Sequence, residues 1–399
     1  MRKRVALLVG APAPWDPRFE KMANSPKYEI KVFYCRPRQE DQKWQMHAIA
    51  YPATFLRNWA PRGWSRYPLA GDINPGIWRA LTIFRPDAVV VHGFATVTCL
   101  LAILWARFHR VPYLLRGDSN ILNEADPSRR RNRLRAWYLR WLVRNAKTYP
   151  AIGELNRRFW ISHGADPERI LFVPYGVDTE YFRKQSELWR ARRIELRREN
   201  DWTQGYLLLY VGRLVHQKRV DVLIEAMRKL EETRKDIALL IVGDGVDHPQ
   251  LAKRAGGLKN IYFLGFKDRP ELPRYYAVAD VFVLPSEVEP WGMVVAEALA
   301  CRLPVITTRK VGAAWDLIRE GRNGYVVPEN DPAALAVAID RACRAGFTGL
   351  NETESQDAVA DWGIDACVRG LHAALDSCLP DAAFQPNEAT DGLRPHPML

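Results

Sequence analysis

Short apolar runs recur along the chain and are separated by longer segments with helical spacing. The runs predict buried strands at 4–9, 28–35, 88–91, 111–115, 170–173, 206–211, 238–242, 261–265, 281–284 and 304–307. Helices are predicted at 129–147, 221–230, 292–301 and 362–375. Buried strands that alternate with helices are typical of parallel sheets covered on both faces. The pattern therefore predicts an α/β fold.

The chain has 399 residues, which is more than one hydrophobic core usually serves. We therefore expect two domains. A charged run that ends near Gln204 is expected to be a helical, solvated linker. Residues 381–399 contain three prolines and no periodicity, so we expect a disordered tail there.

Residues 280–301 combine a buried strand, a tight loop and a helix in immediate succession. In parallel sheets, small molecules bind outside the carboxyl ends of the strands, where the next helix offers amides without partners. Glu289 and Glu297 bracket this position, and a carboxylate can accept hydrogen bonds from a vicinal diol. The stretch predicts a site for a phosphate or a hydroxyl-rich ligand. The alternative is a surface glutamate followed by an ordinary helical one.

A basic loop follows the strand predicted at 206–211. Arg213 can bind two phosphate oxygens at once, and Lys218 supplies a compact positive charge. Gly212 precedes them at the end of the strand. A basic pair in a loop is weak evidence alone, because surface loops commonly carry such residues.

The charge of the chain is unevenly distributed. Residues 1–200 hold 36 Lys and Arg against 18 Asp and Glu, and the remainder holds 22 against 28, so the halves carry +18 and −6. Ten of the 14 tryptophans also lie in the first half. This asymmetry predicts that the first domain meets an anionic partner. No recognisable nucleic-acid-binding fold accompanies the charge, so nucleic acid is not the expected partner.

The predicted helix at 129–147 is basic and amphipathic. Its apolar residues at helical spacing are Leu134, Trp137, Tyr138, Trp141 and Leu142, and arginines occupy the remaining faces. Such a helix can bind an anionic membrane surface. Alternatively, the apolar stripe packs on the sheet while the arginines face water. The sequence leaves both readings open.

Three features bear on the compartment. The apolar start at 5–9 is too short for a signal peptide and is expected to be the first strand. The longest apolar segment, 97–106, is shorter than the roughly 20 residues of a membrane span. The six cysteines show no metal-like or redox spacing, so we expect buried thiols. These features predict a cytoplasmic protein that can lie on the inner face of a membrane.

Glu289, Pro290, Trp291, Gly292 and Glu297 resemble the Glu-x7-Glu signature of retaining glycosyltransferases of family 4. Upstream, GRL at 212–214, VGDG at 242–245 and FLG at 263–265 are similar, in the same order, to the other segments of that family's donor domain. The likeness spans roughly residues 170–380, and the first domain resembles the family only loosely. It implies the GT-B architecture, in which two Rossmann-like domains face a cleft.

The resemblance also implies domain bounds. Residues 1–176 would form an acceptor-binding domain, 177–204 the linker and 205–362 a nucleotide-sugar-binding domain. The helix at 363–380 would return to complete the first domain.

The resemblance implies a role for each donor-side residue. Arg213 and Lys218 would bind the diphosphate and stabilise the charge that develops as the glycosidic bond breaks, so that neither a metal nor a cofactor is needed. Glu289 would bind sugar hydroxyls together with the amides near Trp291, Gly292 and Met293. Glu297 would bind the ribose diol. Gly212 and Gly243 would line the donor pocket, and main-chain groups near Phe266 would contact the base.

The first domain departs from the family pattern at two places. Gly10 stands alone where many relatives have a glycine-rich loop, and Arg116 stands where many have a histidine that contacts the transferred sugar. Arg116, Asp118 and His92 end or follow predicted strands, so each is a candidate for acceptor or sugar contact. A lone histidine at a strand end is often structural.

These residues predict a retaining glycosyltransferase that moves a sugar from a nucleotide-diphosphate sugar to an acceptor hydroxyl. The acceptor is expected to be a glycan, a lipid-linked saccharide or a metabolite, and the basic first half favours an anionic or membrane-borne one. The rival hypothesis is a non-catalytic nucleotide-sugar sensor or scaffold, suggested by the altered position 116 and the reduced first loop.

Overall fold

The computed structural model describes residues 2–12, 17–38, 48–61, 71–123, 130–344 and 352–379. The strands are β1 Lys3–Val9, β2 Tyr28–Tyr34, β3 Ala53–Phe55, β4 Ala88–His92, β5 Tyr113–Arg116, β6 Tyr149–Ala151, β7 Ile170–Phe172, β8 Tyr206–Val211, β9 Ile237–Val242, β10 Ile261–Gly265, β11 Val281–Leu284, β12 Val305–Thr308 and β13 Gly324–Val327. The helices are α1 Pro17–Ala23, α2 Gly76–Phe84, α3 Val97–Phe108, α4 Arg130–Asn145, α5 Glu154–Ser162, α6 Thr179–Arg190, α7 Arg193–Glu199, α8 Val220–Glu231, α9 His248–Arg254, α10 Leu272–Val278, α11 Met293–Ala300, α12 Gly312–Leu317, α13 Pro332–Arg344, α14 Glu352–Val359 and α15 Ile364–Cys378. The predicted tail at 381–399 lies outside the described residues.

The first half of the chain forms a parallel sheet in the order β3-β2-β1-β4-β5. Its central strands are continuous apolar runs, because helices cover both faces. Helices α2, α3 and α4 pack on one face, and α1 and α15 pack on the other. The short pair β6-β7 extends the fold beyond β5.

The second half forms a parallel sheet in the order β10-β9-β8-β11-β12-β13. Strands β8, β9 and β11 are almost entirely buried. The predicted strands start and end within two residues of the observed ones. The predicted α/β fold with two Rossmann-like sheets is confirmed.

Residues 177–204 are helical, as the sequence predicts, but they are not a solvated linker. Helix α6 packs on α10 and α11 and buries Phe182 in the second core. In α7, Arg193 and Arg197 both pair with Asp280, which is buried just before β11. The basic side chains of this segment therefore neutralise a carboxylate of the second domain and attach the segment to it.

The chain passes between the two sheets at two adjacent positions. The amide of Val177 donates to the carbonyl of Trp362 at 3.1 Å, so the two crossing segments run side by side. Gly176 has φ +75°, and a Cβ there would lie 2.9 Å from the Cβ of Cys367, so this position requires glycine. After the second crossing, α15 packs on the first sheet through Cys367, Leu371, Ala374 and Leu375.

Candidate functional site

The loops that leave β8 and β9 lie against each other at the carboxyl edge of the second sheet. The amide of Gly212 donates to the carbonyl of Val242 at 3.0 Å. A Cβ on Gly243 would lie 1.9 Å from the carbonyl oxygen of Gly212, so only glycine allows this approach. Both glycines are therefore packing requirements that hold the β8 loop against the edge where ligands of parallel sheets bind.

Lys218 and Glu289 form an ion pair at this edge. Lys218 ends a 3-10 turn after β8, and Glu289 lies in the loop after β11. The Nζ of Lys218 donates to Oε2 of Glu289, and the two side chains are 17% and 13% exposed. The fold thus brings together two residues that are 71 positions apart and that the sequence assigns to one site.

Arg213 lies beside this pair, with its side chain exposed. Its carbonyl accepts a hydrogen bond from the hydroxyl of Tyr210 at 2.9 Å. Burial raises the pKa of Tyr210 far above its usual range, the charge of Glu289 raises it further, and the charge of Arg213 lowers it. The charges of Arg213 and Glu289 thus both act on the Tyr210 hydroxyl at the carboxyl end of β8.

Helix α11 begins at the same place, directly after Gly292. Gly292 has φ +99°, a left-handed conformation that glycine adopts without strain. Met293 carries the first helical amide, and first-turn amides have no intrahelical acceptor. The Trp291 side chain is 3% exposed and stacks on Trp362 with ring centroids 4.9 Å apart. The main chain of this turn can therefore meet a ligand, while the Trp291 indole belongs to the interior.

Glu297 lies one turn into α11 and contacts a different group. The hydroxyl of Tyr276 donates to its Oε2 at 2.9 Å. Desolvation raises the pKa of Glu297 to about 7, against the opposing effects of the Tyr276 hydrogen bond and the Arg269 charge. The carboxyl of Glu297 is thus partly protonated at neutral pH. Among the described residues its hydrogen-bond partner is Tyr276 on α10, and not Lys218.

Phe266 follows β10 at the same sheet edge, with its side chain 39% exposed. The amide of Gly243 donates to the carbonyl of Gly265 at 2.9 Å, which ties the β9 loop to the β10 loop. The Phe266 ring and the main-chain groups of the β9 and β10 loops can therefore contact the same ligand at this part of the sheet edge.

The first-domain candidates lie at the carboxyl edge of the first sheet. Gly10 follows β1, and Asp118 follows β5 with an exposed side chain. Arg116, in contrast, is 4% exposed, and its guanidinium donates to the carbonyls of Val173 and Pro174 at 2.9 and 2.8 Å. The two guanidinium nitrogens therefore bind main-chain carbonyls inside the first domain and do not face the cleft.

His92 ends β4, beside Arg116 on β5. Its Nε2 is buried and has no hydrogen-bond partner among the described residues. Burial lowers the pKa of His92 well below its usual range, and the nearby charges of Arg116 and Arg18 lower it further. A neutral imidazole with an unsatisfied nitrogen at this edge is suited to a ligand hydroxyl.

A small cleft lies between the two halves, and of the predicted site residues only Asp118 and Trp291 line it. Its walls include Asp118, Gly153 and Asn156 from the first domain and Pro290, Gly312 and Asp316 from the second. Asn120 donates to the carbonyl of Pro290 across the cleft at 2.9 Å. Burial raises the pKa of Tyr175 well above its usual range, and the charges of Asp118 and Glu289 act in the same direction. Carboxylates from opposite walls therefore act on one hydroxyl.

Sequence reasoning missed Asp316, which joins the two walls. One of its oxygens accepts from the amide of Glu154 in the first domain at 2.9 Å, and the other accepts from Nε1 of Trp291 at 2.8 Å. Desolvation raises the pKa of Asp316 to about 6, and the two hydrogen bonds oppose this shift. A single aspartate in a short helix carries no sequence signal of such a role.

The chain matches two family models. Residues 21–176 match the model described as glycosyl transferase 4-like domain, and residues 192–353 match the model described as glycosyl transferases group 1. The two matched segments contain every strand of the two sheets except β1, and every candidate site residue except Gly10.

Curated relatives match part of the chain. A D-inositol 3-phosphate glycosyltransferase of Thermomonospora curvata is 34% identical over 193 residues, which cover 45% of this chain and 44% of that protein. An alpha-D-kanosaminyltransferase of Streptomyces kanamyceticus is 34% identical over 177 residues, which cover 44% of this chain and 45% of the relative. The chain thus spans about half the length of the curated relatives it matches.

Solved structures match almost the whole chain at lower identity. Anabaena HepE in complex with UDP has a TM-score of 0.69 at 18% identity, covering 94% of this chain and 100% of that chain. Sucrose-phosphate synthase from Thermosynechococcus elongatus has a TM-score of 0.70 at 19% identity, covering 94% and 98%. At this identity the likeness concerns the fold, and it confirms the GT-B architecture.

Proposed function

The chain belongs to the glycosyl transferases group 1 family, and from this premise we propose that it is a retaining glycosyltransferase. It transfers a sugar from a nucleotide-diphosphate sugar to an acceptor hydroxyl without a metal or another cofactor. The observation that supports this proposal best is the Lys218–Glu289 pair, which lies at the start of α11 beside Arg213.

The donor binds at the edge of the second sheet. The diphosphate takes Lys218 from its present partner and places its oxygens near Arg213, whose side chain is exposed in the loop after β8. Glu289 is then released to accept hydrogen bonds from sugar hydroxyls. Glu297 accepts from the ribose diol, and the main chain near Phe266 contacts the base.

Breaking the glycosidic bond loads negative charge on the leaving phosphate oxygen. Arg213 and Lys218 stabilise that charge, and hydrogen bonds to charged groups contribute about 1.5–3 kcal/mol each. Two such bonds that strengthen in the transition state would accelerate transfer by a factor on the order of 10²–10⁴.

Retention of configuration follows if the acceptor attacks from the face that the diphosphate leaves. The bond between the anomeric carbon and the phosphate oxygen breaks, and a bond from the acceptor oxygen to that carbon forms. The hydroxyl proton passes to the departing phosphate oxygen on the same face. The diphosphate is thus both leaving group and base.

The acceptor binds at the first sheet, near Gly10, Asp118 and His92. His92 is a better candidate for sugar contact than Arg116, because its Nε2 has no partner among the described residues while guanidinium donors of Arg116 bind main-chain carbonyls. The basic first domain favours an anionic acceptor, which is a glycan, a lipid-linked saccharide or a phosphorylated polyol. We place this reaction in the cytoplasm or at the inner face of a membrane.

The first experiment identifies the donor. Thermal shift with UDP-, GDP-, ADP- and dTDP-sugars selects the nucleotide, because a ligand that binds only the native state raises the melting temperature. Release of nucleotide diphosphate on addition of an acceptor then reports transfer, with and without EDTA. NMR of the product establishes whether the anomeric configuration is retained.

Two variants test the residue assignment. Lys218→Ala and Glu297→Ala should abolish transfer while the protein remains folded, and Lys229→Ala, an exposed lysine on α8, is the matched control. Full turnover in either site variant rejects the assignment. Donor binding without transfer to any acceptor supports the sensor alternative instead.

A further inference from the structure

Three helices of the first domain share an exposed face that carries positive charge only. Helices α2, α3 and α4 pack side by side on one face of the first sheet. Their sequences contain eight arginines and no aspartate or glutamate. Between Ile73 and Gly117 the chain has a single acidic residue, Asp87. This face, called the three-helix face below, is therefore strongly cationic.

The outer stripe of α4 differs from the apolar stripe that its sequence predicts. The buried side chains are Leu139, Leu142 and Val143, which pack on the first core. Trp137, which was expected in the apolar stripe, is 67% exposed. Leu142 is buried, and Tyr138 and Trp141 are half-buried against the same core, as the sequence predicts, so Trp137 is the one described residue that leaves the predicted stripe.

Arg133, Trp137, Arg140 and Arg144 form the exposed stripe of α4 at spacings of three and four residues. Within the described part of the chain, no carboxylate pairs with these three arginines. The stripe thus presents a tryptophan flanked by uncompensated charges.

The neighbouring helices extend the same combination. Phe108 on α3 and Ile83 on α2 are 76% and 70% exposed. The ring of Trp78 on α2 lies 6.2 Å from that of Phe108, and the guanidinium of Arg107 lies 5.3 Å from the ring of Trp141 on α4. The three helices therefore form one continuous surface of aromatic, aliphatic and arginine side chains.

We propose that the three-helix face docks the protein on an anionic membrane surface. Arginines pair with lipid phosphates while tryptophan, phenylalanine and isoleucine enter the region between headgroups and acyl chains. Charge complementarity favours this partner, because the described residues of the face carry arginines and no acid. Among the described helices, none could span a bilayer. The proposed contact is peripheral, because the helices lie along the surface and only their side chains enter the headgroup region.

The orientation of the face suits a membrane-borne acceptor. Helices α3 and α4 both start beyond the carboxyl ends of first-sheet strands, and the hydroxyl of Tyr138 donates to the carbonyl of Phe94 at 3.1 Å, two residues beyond β4. The start of α3 and the middle of α4 thus lie near the carboxyl edge of the first sheet. Docking goes beyond sugar transfer and does not depend on it.

Vesicle flotation of the full chain tests the proposal without any donor. Wild type should bind vesicles of phosphatidylcholine with one-third phosphatidylglycerol, should not bind phosphatidylcholine alone, and should dissociate in high salt. Replacing Arg133, Arg140 and Arg144 together by Gln should weaken binding about 100-fold, because each arginine near such a surface contributes a factor of about five.

A matched variant controls for net charge. Lys259, Arg319 and Arg322, replaced together by Gln, remove the same charge from exposed positions of the second domain and should leave binding unchanged. A second test, Trp137→Ser with Phe108→Ser, should weaken binding while the salt dependence remains. Equal losses in the two triple variants, or no binding by wild type, overturn the proposal. Self-association that the α4 triple variant abolishes would also overturn it, because the face would then be a protein interface.

Discussion

Glu289→Gln provides a sharp test of how the donor site works. In the unliganded protein, Lys218 is already bonded to Glu289, and both side chains are largely buried. A nucleotide diphosphate must therefore compete with Glu289 for Lys218 and must also approach a carboxylate. Glutamine keeps the shape of the side chain but removes its charge, so both obstacles to diphosphate binding are lowered.

The expected gain follows from the strength of that bond. A hydrogen bond between charged groups contributes about 1.5–3 kcal/mol, and the partial exposure of this pair favours the lower value. Free nucleotide diphosphate should then bind Glu289→Gln about 10-fold more tightly than wild type. Turnover should fall on the order of 10²-fold, because the sugar hydroxyls lose the carboxylate that accepts their hydrogen bonds.

Titration calorimetry with nucleotide diphosphate measures the first quantity, and diphosphate release measures the second. The double variant with Lys218→Met separates competition for the lysine from repulsion between Glu289 and the diphosphate. Without the lysine, Glu289→Gln relieves only that repulsion. The gain should therefore be smaller in that background. Unchanged or weaker diphosphate binding by Glu289→Gln would refute the idea that Lys218 is shared between carboxylate and phosphate.

Three further outcomes are expected. Gly243→Ala should unfold at a much lower temperature than Gly76→Ala, because a Cβ at 243 would meet a carbonyl oxygen at 1.9 Å, whereas a Cβ on Gly76, at the start of α2, meets nothing within 4 Å; equal melting temperatures contradict this. His92→Gln should reduce transfer with little change in melting temperature, while Arg116→Gln should lower the melting temperature by loss of buried hydrogen bonds; the reverse result exchanges their roles. Asp316 has a pKa raised to about 6 in the folded protein, so ionisation of Asp316 disfavours the native state above that pH by up to about 3 kcal/mol. The contribution of Asp316 to the free energy of unfolding should therefore increase as the pH falls from about 6 to about 4. The difference in stability between wild type and Asp316→Asn should change in that pH window only.

The sequence predicts the donor side well because its signals are local. Strand ends, glycines and the Glu289 loop follow one another with the spacing that a parallel sheet imposes, so the contact between Lys218 and Glu289 follows once the strand order is known. The requirement for glycine at position 243 also follows from strand order, because adjacent strands bring their loops together.

Features that depend on distant partners could not be predicted. The burial of Trp291 depends on Trp362, 71 positions later in the chain, and the role of Asp316 depends on an amide of the other domain. The prediction that Trp137 packs on the core was wrong for a similar reason: both Trp137 and Leu139 are apolar, and only the shape of the first core decides which of them is buried. The charged run at 177–204 reads as solvated because its neutralising aspartate lies far away in sequence.

The stacked indoles of Trp291 and Trp362 join the Glu289 loop to the place where the polypeptide passes between its halves. Both rings pack on the second core. We therefore expect a substrate that orders the loop also to bias the angle between the halves, so that loop ordering and interdomain closure occur together.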